Sequence, residues 1–495
     1  MGNIINLDNF DGDLPDALTE TGTGGLLSSG YLHDAPAKAA LDDGETPRFV
    51  VTSAKRGLEI ERGEELESIR PSRGYRMVGV ATDKRLLVLV GDGDGDSRFA
   101  LPYAEIEQVD GETGLSHGRC TIRRGSGAVW HVHCGKQGLL ELTAYLSHAT
   151  QAWVHVENTL DEATRTLVTA TERRDRGEYD AALTAVEAAS ECLDEAAETA
   201  ADFGATDGAS ALERRVRAVR ERHANALADV RRSRARRAAE AGEAHWRNEA
   251  FEAAYEAYED ARAEYDAILA VPEGLLDEAE AIRAERERLD SVVDALSQSP
   301  LRLAVEADNA AIAADDPAEA AAHWTDALEA YRAVLELDWG ADERRFAGGP
   351  EKIRDRLSAV AENLVAARRT VATDAMEAGD WYADAGRPEV ALEDYESARD
   401  AFESALDAAR DCYPDAVDHL EAELDALTHR LERARARTEG DDVDPDDRFD
   451  DRPEPDVDVG PSTDTLAPAD PADLSDIERA LDGPDRGLDP TTPES

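Results

Sequence analysis

Lysine is nearly missing from this 495-residue chain: Lys38, Lys55, Lys84, Lys136 and Lys352 stand against 49 arginines. Aromatic residues make up 5%, which disfavours a large β-sandwich core and favours Ala-rich helix packing. Four cysteines, Cys120, Cys134, Cys192 and Cys412, are too few for a disulfide scaffold and are expected reduced and buried. No run approaches the roughly 18 apolar residues of a membrane span. The opening MGNIINLDNFDGD has neither a basic nor an apolar region of a secretory signal, so a soluble cytoplasmic protein is expected. HExxH and GxxxxGK[ST] do not occur, GLSHG (114–118) lies between two strand runs and not at the strand-to-helix elbow that a GxSxG nucleophile needs, and the 11 histidines are scattered. Neither enzymatic chemistry nor a cofactor is therefore expected.

Acid is what the chain has in excess. Its 109 Asp and Glu against 54 Lys and Arg give a net charge of −55, which disfavours general nucleic-acid binding. Such a charge strains a compact fold by self-repulsion, and concentrated salt screens most of that strain. Abundant carboxylates with scarce lysine resemble proteins of salt-in halophilic archaea. The charge is uneven: −7 over residues 1–44, −1 over 45–150, −31 over 151–438 and −16 over 439–495.

Residues 1–44 lack sustained periodicity and read as a flexible acidic leader, with a short helix expected within GYLHDAPAKAALDD (30–43) just before the first domain. From 47 to 134 short β-branched runs follow one another: 48–54, 57–61, 75–82, 85–90, 97–103, 105–110, 118–124 and 128–134. A helix with Leu139, Leu140, Leu142, Tyr145 and Leu146 on one face closes the region. The segment VATDKRLLVLV (80–90), followed by FALPYAEIEQV (99–109), resembles the prokaryotic pleckstrin-homology-like families, including the GRAM and YokE-like groups. That resemblance covers residues 45–150 and implies a small β-barrel with a C-terminal helix, of a kind that binds lipid in some members and protein in others. Thr82-Asp83 would make the turn, and Ile106 and Val109 would face the core.

From 151 to 438 the chain reads as helical and repeats itself. Aligned on Gly177, Glu249, Asp315 and Gly386, the positions five residues on are Ala182, Ala254, Ala320 and Ala391. Nine on stand Val186, Tyr258, Trp324 and Tyr395; twelve on, four alanines; sixteen on, Leu193, Tyr265, Tyr331 and Phe402. These steps keep one helical face, so four helix hairpins of about 70 residues are expected, with these residues as the repeat core. Around its turn each resembles a tetratricopeptide repeat, as in Gly379, Tyr382, Gly386, Ala391, Tyr395 and Ala398, but with a doubled period and long first helices. Pro300 is expected to start or kink a helix. Residues 439–495 hold 9 of the 20 prolines and 20 acids and read as a disordered tail. Within the tail, Leu474, Ile477 and Leu481 are a docking candidate. The fold class expected is thus α+β and multidomain: leader, barrel, all-α hairpin body and tail.

Candidate sites follow from charge and spacing. His117, Cys120, His131, His133 and Cys134 invite a zinc reading, but strand alternation places His131 and His133 opposite Cys134, and tetrahedral ligands must converge. Asp92, Asp94 and Asp96 suggest a calcium loop, yet Ser97 and Tyr103 stand where an EF-hand needs Gly and Glu. Arg70, Arg73, Arg76, Lys84, Arg85, Arg119, Arg123 and Arg124 read either as a surface for an anionic headgroup, an acidic partner or the chain's own acidic tail, or as mixed-sign salt bridges. Arg214, Arg215, Arg217, Arg220, Arg231, Arg232, Arg234, Arg236 and Arg237 lie in a basic helix that touches phosphate or is neutralised by acidic neighbours. The function expected is a cytoplasmic adaptor or scaffold for protein partners, self-association included. An anionic lipid surface and a nucleic acid are the second and third alternatives.

Overall fold

The computed structural model describes residues 3–9, 14–23, 30–115, 117–203, 209–340 and 344–438. The expected tail and its Leu474 to Leu481 segment lie outside the described residues.

Among these residues ten strands make two antiparallel sheets. The first has the order β1 (Asn3–Asn6), β2 (Pro47–Ser53), β5 (Met77–Thr82), β6 (Arg85–Val90), β7 (Ser97–Pro102). The second runs β4 (Glu65–Ile69), β3 (Leu58–Arg62), β10 (Val129–Cys134), β9 (Gly118–Arg124), β8 (Ile106–Thr113). The expected barrel is not there: the sheets do not close on each other. A single 3-10 turn, Tyr103–Glu105, leads from β7 to β8, and the helix α2 (Leu139–Asp175) packs on that turn and on β8 in place of a closing ladder.

Sheet one is buried on both faces. Phe49, Val51, Met77, Leu86 and Val88 point into the core shared with the second sheet. Val50, Val78, Val80, Leu87 and Leu89 point the other way and are covered by Ala17, Leu18, Leu32 and Ala37. The segment expected as a flexible leader therefore carries structure: β1 pairs with β2, and the short helix α1 (Asp16–Thr19) and a 3-10 turn at Ala37–Ala40 cover the outer face. The physical reason is in LLVLV, which leaves an apolar face that water would otherwise meet.

The helical part comprises α2 and α3 (Tyr179–Phe203), α4 (Ala211–Arg247) and α5 (Phe251–Leu269), α6 (Ala279–Ala313) and α7 (Pro317–Glu336), then α8 (Pro350–Asp384), α9 (Pro388–Cys412) and α10 (Val417–Thr438). Each hairpin has a long first arm of 35 or 37 residues. Three of the turns share one construction. Gly177, Glu249 and Gly386 have φ of 78°, 58° and 74°. The amide after each returns to the carbonyl five residues back, as in Glu178 to Arg173 and Arg387 to Tyr382, which is the Schellman closure. The α6–α7 turn instead uses Asp316, whose carboxylate accepts from the Ala318 amide, followed by Pro317. Pro300 lies inside α6, not at its start.

The core positions of the hairpins are buried, with Ala320 half-buried. In two hairpins the long arm sets a glycine against a ring of the short arm: a Cβ at Gly379 would lie 2.7 Å from the Tyr395 ring, and one at Gly242 would lie 3.0 Å from the Tyr258 ring.

The chain divides into two compact units, Met1–Arg236 with Glu264–Arg283, and Arg237–Ala263 with Ala284–Ser495. The boundary expected at 150/151 falls inside α2, and in the first unit one hydrophobic core runs from Ile4 through both sheets and α2 to Val230. Sheets and first hairpin fold around a common interior.

Candidate functional site

The turn after β5 carries Thr82 and Asp83, both buried. Asp83 is an anchor. One carboxylate oxygen accepts from the Thr46 amide at 2.9 Å, and the other from the Ala211 amide at 2.7 Å, at the first turn of α4. Its carbonyl accepts from Trp153 Nε1 at 3.0 Å, and the Thr82 carbonyl accepts from the hydroxyls of Tyr103 and Tyr145, each at 2.7 Å. Burial pushes both phenols up. Ser210 and Glu213 complete a capping box on α4. A negative group at a helix N-terminus satisfies free amides and the helix dipole together. This motif joins strands to helices within the first unit.

The eight cations of the expected anionic-ligand surface do not form one patch. Arg85 donates to Glu45 at 2.8 Å and to Asp42 at 3.0 Å, and Lys84 meets Asp42 at 2.6 Å. Hydrogen bonding from Lys84 holds the Asp42 carboxyl below its usual range. Arg119 pairs with Glu112, Arg124 with Glu105, and Arg70 with Glu59. Arg76 stacks on Tyr31. Arg119 stands near one end of β9 and Arg124 at the other, while Arg76 and Arg85 stand at opposite ends of the β5–β6 hairpin. Arg73 and Arg123 are exposed, with no ion pair among the described residues.

The basic stretch of α4 is met by acids in the same unit. Arg215 is bidentate to Glu157 at 2.9 and 3.1 Å, Arg220 reaches Asp194, and Arg217 pairs with Glu221. Arg231 and Arg234 share Glu264, and Arg232 meets Glu278. Arg214 donates to the Ala209 and Gly44 carbonyls, and Arg236 is engaged as well. Arg237 lies beyond the division into the second unit.

On β10, Trp130, Val132 and Cys134 join the core while His131 and His133 take the outer face. His131 Nε2 lies 2.9 Å from Glu61, and Thr121 meets its Nδ1 at 3.1 Å. His133 Nε2 is 3.1 Å from Glu59, close enough for an ion pair but off the axis of a hydrogen bond. That proximity, with desolvation opposing, holds Glu59 below its usual range. The cysteines are free; Cys120 and Cys134 are buried, the latter pushed up to about 11 by burial, while Cys192 and Cys412 are only half-buried. Asp96, in the loop that suggested calcium, accepts from the His33 and Asp34 amides and so ties the N-terminal segment to the β6–β7 hairpin.

Neither a protein-family model nor a curated protein matches this chain.

Two features escaped the reading from sequence. The first is in the second unit, at the α8–α9 turn: Trp381 is 64% exposed, packs edge-on against Tyr382, and Arg387 stacks on the Tyr382 ring at 5.2 Å. Trp130, Trp153 and Trp324 are buried by contrast. A cavity of about 1040 Å³ in the same unit is bordered by Asp294, Arg344, Lys352 and Arg354. Among the described residues, no helix is long and apolar enough to cross a membrane.

The second feature is one end of the second sheet, where Leu115 is 102% and Leu140 83% exposed. The only sequence signal was a leucine in the polar turn GETGLSHG.

Proposed function

We propose that the chain is a non-enzymatic adaptor: a PH-like domain continuous with tetratricopeptide-like helical hairpins that hold a protein partner. The exposed Trp381, backed by Tyr382 and Arg387, is the observation that carries this reading. Trp, Tyr and Arg are the residue types that dominate binding energy at protein interfaces, and a solvated Trp gains most from being covered. The two-sheet domain followed by a helix supports the PH-like part, and the Gly379–Tyr395 approach with its Schellman turn supports the repeat part. With the basic stretch of α4 occupied by carboxylates, the protein reading stands ahead of the nucleic-acid one.

Affinity capture from the source lysate in molar salt, comparing the full chain with Trp381→Ala, tests the proposal. A defined protein recovered in stoichiometric amount and lost with the substitution is the expected result. Recovery of nothing specific, or of the same protein with both chains, overturns it.

A further inference from the structure

In a chain of net charge −55 one corner is both cationic and apolar. It is the end of the second sheet where the β8–β9 hairpin, the β2–β3 loop and the start of α2 meet. Leu115 stands fully exposed on the hairpin, and Leu140 stands 83% exposed on the first turn of α2. Lys136 donates to the Leu115 carbonyl, and Arg56 lies 2.6 Å from His117 Nε2. Lys55 is exposed beside Arg56. Lys55, Arg56 and Lys136 form no ion pair among the described residues. The carboxylates near this end are engaged elsewhere: Glu112 by Arg119, Glu59 by His133 and Arg70, and Glu141 by the Asn6 amide group. Desolvation, with the charges of Arg56, His133, Lys136 and Arg119 adding to it, holds His117 below its usual pKa.

The hairpin is braced. A Cβ at Gly118 would lie 2.4 Å from the Gly135 carbonyl, so this position admits only glycine and seats the hairpin on the loop before α2. Leu115 is thus presented on a fixed support.

We propose that this corner is a membrane-contact tip, with Leu115 and Leu140 entering the interfacial zone of an anionic bilayer while Lys55, Arg56 and Lys136 meet its headgroups. Two exposed leucines alone offer too little apolar area for a stable protein contact. A bilayer demands no shape match, and it rewards apolar insertion and basic charge together. The inference is independent of the adaptor reading, which rests on the second unit.

Flotation of the full chain with vesicles of phosphatidylcholine alone, and of phosphatidylcholine mixed with phosphatidylglycerol, tests it. The chain floats with the mixed vesicles. Leu115→Ser with Leu140→Ser, both at exposed positions, lowers the bound fraction at least about tenfold. Replacing Lys55, Arg56 and Lys136 by Gln weakens flotation at low salt and much less in molar KCl, where screening reaches within about 3 Å. No flotation at any salt, or equal flotation of the leucine variant, overturns the proposal. So does a fall in sedimentation coefficient of the leucine variant without vesicles, which would make the corner a contact between copies.

Discussion

Asp308 of α6 and Arg356 of α8 form an ion pair inside the second unit, 0% and 3% exposed. Arg356 Nε and Nη2 donate to the two carboxylate oxygens at 2.6 and 2.7 Å, and the Tyr331 hydroxyl of α7 donates to Asp308 at 2.9 Å. Burial opposes the Arg356 charge, and the bonds to Asp308 outweigh it, holding the guanidinium above its usual range. Burial, with Asp308 adding to it, pushes the Tyr331 phenol up. Arg356→Met leaves a carboxylate in the interior with one donor, a cost of about 3–5 kcal/mol. A charge pair about 4 Å apart at an effective dielectric of about 20 is worth about 4 kcal/mol, in the same range. Asp308→Leu strands the guanidinium and costs a similar amount. The double variant should recover much of either loss, because Arg356 Nη1 already lacks a partner and two charges no longer need desolvating, less about 1–3 kcal/mol for the buried Tyr331 hydroxyl left without its acceptor. Urea unfolding in constant KCl, followed by tryptophan fluorescence, with hydrogen exchange to localise the loss to the second unit, gives the double-mutant cycle. Losses under 1 kcal/mol for the single variants, or a double variant as unstable as their sum, would refute the reasoning.

Other substitutions test the joints. Glu249 is the one non-glycine residue with positive φ among those described, at a turn where Gly177 and Gly386 stand in two other hairpins. Glu249→Gly should stabilise by about 1 kcal/mol in the same assay. Gly379→Ala gains about 1 kcal/mol of helix propensity. Its Cβ meets the Tyr395 ring at 2.7 Å, however, an overpacking cost of about 1–3 kcal/mol, so net destabilisation is expected and an unchanged midpoint would argue against the close approach. Asp83→Ala orphans the Thr46 and Ala211 amides and should cost about 3 kcal/mol of the first unit's stability. Lys84→Met should raise the Asp42 titration midpoint, read by NMR, towards the ordinary value. Because the folded carboxyl is depressed, the Lys84 contribution to stability is full above the unfolded value of about 4. It disappears as pH falls through the folded value.

Periodicity made the helical body legible. The hairpin core positions alternate small and large side chains on one face, and a 3.6-residue period survives divergence because the face must stay buried. Two losses of legibility have physical causes. LLVLV in β6 has no alternation, and that was the sign that both faces of the sheet are covered, which required the N-terminal segment to fold over it. The basic residues misled for a different reason: sequence counts charges but not their partners, and Arg85, Arg119, Arg124 and Arg215 each find a carboxylate across a strand, loop or helix. Leu115 and Trp381 were invisible because a single exposed apolar residue has no period.

The unbroken course of α2 has a consequence for how such a chain can vary. Its 37 residues pass from Leu139, seated on the sheets, to the turn at Gly177 without interruption. Each residue advances the helix by about 100°, so one inserted after Trp153 would swing every later side chain of that arm a quarter-turn away from its partners in α3. Insertions of about seven or eleven residues nearly restore the phase. Length change in this protein is therefore quantised at the junction and free only in the loops, and a graft of the β domain onto another helical body succeeds or fails by angular register before any contact is considered.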